Sequence, residues 1–200
     1  MAHKDDGGYI IMIVDDEKRF LLVCVAKTAS TAMRRRFGFY EDPPPEEYHM
    51  FLSDGLIKYP QAKKYFKFGF VRNPYDRLFS TYINLKYDGH PWATALKRKY
   101  SFRDFVMDFE NSKYSNYIHL QPQWNYLSTN NQLGVDFVGR FENLTNDFKA
   151  VERLIGCPHK PLEKIRSSSK NREPKYYDDK MRKIVQKIYT IDFERFGYEK

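Results

Sequence analysis

The chain has 200 residues, enough for one domain with a real core, and a formal net charge of +8. Its two cysteines lack metal-ligand spacing and make no disulfide framework, no apolar stretch is long enough to span a membrane, and the opening "MAHKDDGG" has no signal-peptide apolar region. The expectation is a single soluble domain over residues 1–200, cytoplasmic or a trimmed lumenal piece. Its partner is anionic, and charge alone fits nucleic acid, a nucleotide or an acidic polysaccharide equally.

In chain order, "YIIMIV" (9–14) and "FLLVCVA" (20–26) read as strands, the second apolar on both faces as a central parallel strand requires. Thr28, Ser30 and Thr31 open a helix to about Phe37, with Gly38 as its stop. Pro43-Pro44-Pro45 is a stiff surface loop. "YFKFGFV" (65–71) is a third strand, and Pro74 suits the first turn of the helix after it. Ser101 caps a short helix over 101–109, "VDFVG" (135–139) is another core strand, and Asn143 caps a helix with Gly156 as its stop. Apolar residues at 181, 184, 185, 188 and 193 form one helical stripe. Strands alternating with helices predict a three-layer α/β sandwich on a mostly parallel sheet.

Two strand-to-helix junctions have the chemistry of anion sites. In "VAKTASTAM" a buried strand turns directly into a helix, which leaves free main-chain N–H groups at the positive end of the helix dipole. Lys27 adds a charge, and Thr28, Ser30 and Thr31 add hydroxyls. The turn is not the glycine-rich GxxxxGK[ST] loop, because its lysine comes first and it contains no glycine. A helix cap with an incidental lysine explains it equally well. The second junction, "FVRNPYDRLFSTY" (70–82), places Arg72 at a strand end and Ser80 in the following helix. Arg72 offers a planar fork suited to phosphate, and Ser80 a hydroxyl donor. A nucleoside with phosphates at both ends would occupy both.

"VAKTASTAM" resembles the 5′-phosphosulfate loop of sulfotransferases, and "FVRNPYDRLFSTY" their 3′-phosphate segment. "DFVGRFENLTNDF" and "YYDDKMRKIVQKIYTIDFERFGY" are similar to later blocks of the carbohydrate O-sulfotransferase group, which includes the heparan uronyl 2-O, chondroitin and HNK-1 enzymes. The resemblance covers most of the chain, in order. It departs at Ala26, where the family's loop usually has proline. It implies a P-loop-like sulfotransferase fold, 3′-phosphoadenosine-5′-phosphosulfate (PAPS) as sulfuryl donor, no metal, and a hydroxyl acceptor, first of all a glycan. By position, Lys27, Thr28, Ala29, Ser30 and Thr31 hold the 5′-phosphosulfate, and Arg72 and Ser80 the 3′-phosphate. "SSSKNREPKYY" (167–177) matches a loop that closes over the donor, with Ser169 and Lys170 as its contacts.

Sulfuryl transfer to an alcohol needs a base for the acceptor proton, and histidine is the usual choice near neutral pH. Of the 5 histidines, His3 lies at the terminus, His90 reads as turn chemistry, His159 follows a helix, and His119 either lines an acceptor cleft or packs. The uronyl 2-O-sulfotransferase pattern places its base between the two phosphate segments, where His49 stands. Some relatives use a glutamate, which makes Glu46 and Glu47 the alternatives and Glu142 a weaker one. Lys27 compensates charge on the leaving phosphate. Tyr114, Tyr117, Trp124 and Tyr126 either stack on sugar rings or belong to the core.

A tyrosine or small-alcohol acceptor fits the residues too. A nucleotide kinase is disfavoured by the missing glycine-rich loop. No nucleic-acid-binding signature is present, so nucleic acid is not the expected partner.

Overall fold

The structure, a computed structural model, describes residues 12–40, 49–87, 100–109, 117–164 and 175–200. In chain order its elements are β1 (Ile13–Asp15), β2 (Phe20–Val23), α1 (Ser30–Arg36), α2 (Leu52–Lys58), β3 (Phe66–Val71), α3 (Pro74–Tyr87) and α4 (Phe102–Asp108). They continue with α5 (Gln123–Leu127), β4 (Ser128–Thr129), β5 (Gln132–Leu133), β6 (Phe137–Arg140), α6 (Leu144–Leu154), α7 (Asp179–Ile188) and α8 (Thr190–Phe196). The chain divides into two compact units. One comprises Met1–Arg72 with Gln123–Ile165, the other Asn73–Pro122 with Arg166–Lys200.

The first unit is built on a mixed, mostly parallel sheet ordered β1-β2-β3-β6, in which β1 is antiparallel to β2 and the other pairs are parallel. Side chains alternate across a strand, so Phe20, Leu22, Phe68 and Phe70 share one face. That face packs on Met33 of α1 and on Phe148 and Val151 of α6. The opposite face meets α5, where Leu127 fills the space a side chain on Gly69 would need. Helices therefore lie on both sides of the sheet. Two close approaches fix its register. A Cβ on Gly69 would stand 2.5 Å from Leu127, and one on Gly139 would stand 2.3 Å from the Phe70 ring. Each glycine leaves room for a core side chain from a neighbouring element.

The expected elements map onto these with local differences. The strand expected over 20–26 leaves the ladder after Val23, where Val25 N–H turns back to the Val23 carbonyl, and Cys24, Val25 and Ala26 remain buried. Burial pushes the Cys24 thiol up to about 11. Gly38 ends the α1 segment with φ +89°. Asn143 precedes α6 without capping it, because its Oδ1 accepts from the Asn146 side-chain amide at 2.8 Å instead of from a main-chain N–H. The three arginines that close α1 split their work. Arg36 pairs with the fully buried Glu152 at 2.8 Å and donates to the Pro158 carbonyl, while Arg35 lies 3.8 Å from Glu163.

Among the described residues the second unit is helical, with an aromatic core that includes Tyr75, Phe79, Tyr82, Phe102 and Phe105. Ser101 caps α4 as expected and forms a reciprocal box with Asp104. The single stripe over 181–193 is two helices. Thr190 Oγ1 donates to the Gln186 carbonyl at 2.6 Å and competes with the main-chain ladder, so α7 stops at Ile188. The stripe continues across the break, with Met181, Val185, Tyr189 and Phe193 all buried. Arg77, 1% exposed, donates to the carbonyls of His119 and Gln121 and lies over the Tyr189 ring.

Gly139→Ala tests the register. The new methyl must displace the fully buried Phe70 ring, at a cost of about 1–3 kcal/mol. The expected result is a lower urea midpoint with an unchanged slope. An unchanged midpoint would show that β3 and β6 are free to relax apart.

Candidate functional site

Parallel pairing puts the carboxyl ends of β2 and β3 at one edge of the sheet, in register through Val23 opposite Gly69. The turn between β2 and α1 leaves from that edge. Its shape does not come from glycine. Lys27 (φ 66°) and Ala29 (φ 69°) both take the left-handed conformation, with Thr28 between them outside it. Such alternation turns successive N–H groups toward a common point, the main-chain concavity that binds anions. Each non-glycine residue held this way costs about 1–3 kcal/mol. Thr28 is fully buried and its hydroxyl donates to the Val25 carbonyl at 2.9 Å, a clamp across the turn. That hydroxyl proton is therefore committed inside the loop. Ser30 and Thr31 begin α1 and are half-buried.

Arg72 follows β3 directly. Its guanidinium lies over the Phe141 ring at 4.1 Å, and Nη1 donates to the Lys27 carbonyl at 3.3 Å. The two junctions singled out in the sequence thus touch within the first unit through Arg72 and the Lys27 main chain. Its main chain is paired with Gln123, whose Oε1 accepts the Arg72 N–H and whose Nε2 donates to the Arg72 carbonyl, both at 2.8 Å.

His49 belongs to the same unit. Its Nδ1 lies 2.5 Å from the main-chain oxygen of Cys24, three residues before Lys27. A carbonyl oxygen only accepts, so Nδ1 carries the proton of this bond and Nε2 holds the lone pair of the neutral ring. Tyr126, fully buried, meets His49 edge-on at 6.1 Å and Phe51 at 5.2 Å.

The other residues fall elsewhere. Ser80 is half-buried on α3, in the second unit. His119, 6% exposed, packs at 4.7 Å on the Tyr117 ring and meets its hydroxyl at 3.2 Å. Burial also raises the Tyr117 phenol. His159 pairs with Glu152 at 2.6 Å. Tyr117, Trp124 and Tyr126 are all buried, which makes them core. Glu142 is exposed. Ser169, Lys170, Glu46, Glu47, His90 and Tyr114 lie outside the described residues. Gln123 and Phe141 were not singled out in the sequence. No local pattern marks a glutamine that pairs with a main chain 51 residues away.

The family model described as "Sulfotransferase family" matches residues 11–199, and the chain belongs to that family. It is an enzyme, a PAPS-dependent sulfotransferase. An uncharacterized protein of Archaeoglobus fulgidus is 28% identical over 116 residues, covering 54% of this chain and 90% of the relative. No solved structure matches. Among the described residues no helix is long and apolar enough to cross a membrane.

The strained turn gives a direct test. Ala29→Gly removes the left-handed penalty at φ 69° and should raise stability by up to about 1 kcal/mol, read as a higher thermal midpoint. A lower midpoint would show that the Ala29 methyl contributes more than its conformation costs.

Proposed function

We propose that this sulfotransferase transfers its sulfuryl group to a carbohydrate hydroxyl, with His49 as general base and Lys27 opposite the leaving phosphate. The observation that carries this reading is the 2.5 Å contact between His49 Nδ1 and the Cys24 carbonyl. It favours the tautomer whose Nε2 can accept a proton, and it ties that base to the strand that feeds the Lys27 turn. The left-handed alternation at Lys27 and Ala29 supports the turn as the seat of the 5′-phosphosulfate. There Thr28, Ala29, Ser30 and Thr31 contribute main-chain N–H groups, and Ser30 and Thr31 their hydroxyls. Arg72 and Ser80 are assigned to the 3′-phosphate, and Ser169 and Lys170 to donor binding. The family match runs through both units, which supports one catalytic domain over residues 1–200.

PAPS supplies a sulfuryl group activated by its anhydride to phosphate. His49 takes the acceptor proton at Nε2 as the new O–S bond forms. Lys27 offsets the charge that gathers on the departing phosphate oxygen, in a site whose donors are already in place. None of these roles requires a metal. The net charge of +8 suits an acidic glycan as acceptor.

Adenosine 3′,5′-bisphosphate should stabilise the protein against heat far more than adenosine 5′-monophosphate at equal concentration, by the mass-action term RT ln(1 + [L]/Kd). Equal shifts would remove Arg72 and Ser80 from the 3′-phosphate. His49→Ala should keep bisphosphate affinity within a few-fold and slow transfer by about 10²–10⁴. Near-normal transfer would redirect the search for the base to Glu46 and Glu47. Lys27→Ala should cut turnover by about 10²–10³, more than it weakens binding. Wild-type turnover in that variant would take Lys27 out of the mechanism.

A further inference from the structure

Gln123 is fully buried, and its side chain satisfies both main-chain groups of a single residue, Arg72. Two opposed N–H···O bonds to one residue reproduce a rung of a β-ladder. The ladder between β3 and β6 ends at Val71, opposite Arg140. The Gln123 amide therefore extends the order of β3 by one residue, to the arginine assigned to phosphate. Phe141, in the turn after β6, lies against the guanidinium with its ring centre 4.1 Å from Cζ, a contact that restricts how the fork can turn. An arginine fork binds phosphate through two parallel N–H bonds only when its plane is correctly oriented, and a freely rotating side chain loses that advantage to entropy.

We propose that Gln123 and Phe141 are positioning residues that hold Arg72 in the orientation that reads a 3′-phosphate, and so set the enzyme's preference for nucleotides that carry one. The proposal rests on Arg72 as the 3′-phosphate ligand. Neither residue needs to touch the donor. Gln123 acts on the Arg72 main chain and Phe141 on its side chain, so their loss should appear as loss of discrimination rather than loss of all nucleotide binding.

The readout is the ratio of affinities for adenosine 3′,5′-bisphosphate and adenosine 5′-monophosphate, measured by calorimetry on the full chain. The wild-type ratio should be on the order of tenfold or more, and Arg72→Ala should lower it more than any other single substitution, with the remainder left to Ser80. Gln123→Leu and Phe141→Leu should each lower the ratio several-fold, with monophosphate affinity held within about twofold. Gln123→Glu keeps the acceptor for the Arg72 N–H and loses the donor to its carbonyl, so it should fall between wild type and Gln123→Leu. In the Arg72→Ala background none of these substitutions should change the ratio further, the non-additivity expected of residues that act through one another. Should Gln123→Leu fail to fold, Gln123→Glu and Phe141→Leu carry the test. A wild-type ratio in the folded variants, equal loss for both nucleotides, or further loss of the ratio without Arg72 would overturn the proposal. A wild-type protein that does not discriminate, or an Arg72→Ala variant that keeps the wild-type ratio, would instead refute the assignment of Arg72 and the proposal with it.

Discussion

The parallel pairing of β3 between β2 and β6 is the constraint on which the rest of the first unit depends. It aligns Val23 with Gly69 and Gly69 with Val138, so the strands end together. The Lys27 turn and Arg72 are then close enough for a hydrogen bond to the Lys27 carbonyl. A slip of one residue would exchange the two faces of β3 and turn Phe68 and Phe70 away from α1 and α6. The bare positions Gly69 and Gly139 oppose such a slip, since each accommodates a core side chain that fits in one register.

The site stores strain, and the packing around it holds that strain in place. Two left-handed non-glycine residues in one turn cost a few kcal/mol together, at about 1–3 kcal/mol each. At one end the buried Thr28 clamps the turn to Val25. At the other, α1 is anchored through Arg36 to Glu152, which also receives His159. Removing one partner of a buried ion pair typically costs about 3–5 kcal/mol. A turn fixed from both sides does not have to reorganise when charge develops beside it, which is the condition under which fixed donors lower a barrier most.

Much of the frame was legible in the sequence because it follows local rules. Apolar runs marked β2 and β3, Gly38 marked the end of the α1 segment, and Ser101 marked the start of α4. The parts that escaped depend on contacts between distant residues. Thr190 breaks the 181–193 stripe through its hydroxyl, which an apolar pattern does not register. "MRRRF" advertises donor capacity, yet Arg35 and Arg36 reach toward residues 152–163. The turn without glycine gave no hint that Lys27 and Ala29 would adopt left-handed φ. His49 stood out through family resemblance alone, since its bond to the Cys24 carbonyl joins residues 25 positions apart that no local pattern links. Gln123 had no sequence signal, since its partner is a main chain and a main chain has no residue type.

Sulfuryl transfer to an acceptor can be measured outright. Purified protein is given PAPS labelled in its sulfate and a panel of polysaccharides, peptides and phenols, with and without EDTA. Adenosine 3′,5′-bisphosphate and labelled product are both quantified. One bisphosphate should be released for each sulfate transferred, with the label confined to carbohydrate hydroxyls and no effect of the chelator. Label carried by peptides or phenols alone, or transfer abolished by EDTA and restored by a divalent metal, would contradict the proposed metal-free transfer to carbohydrate.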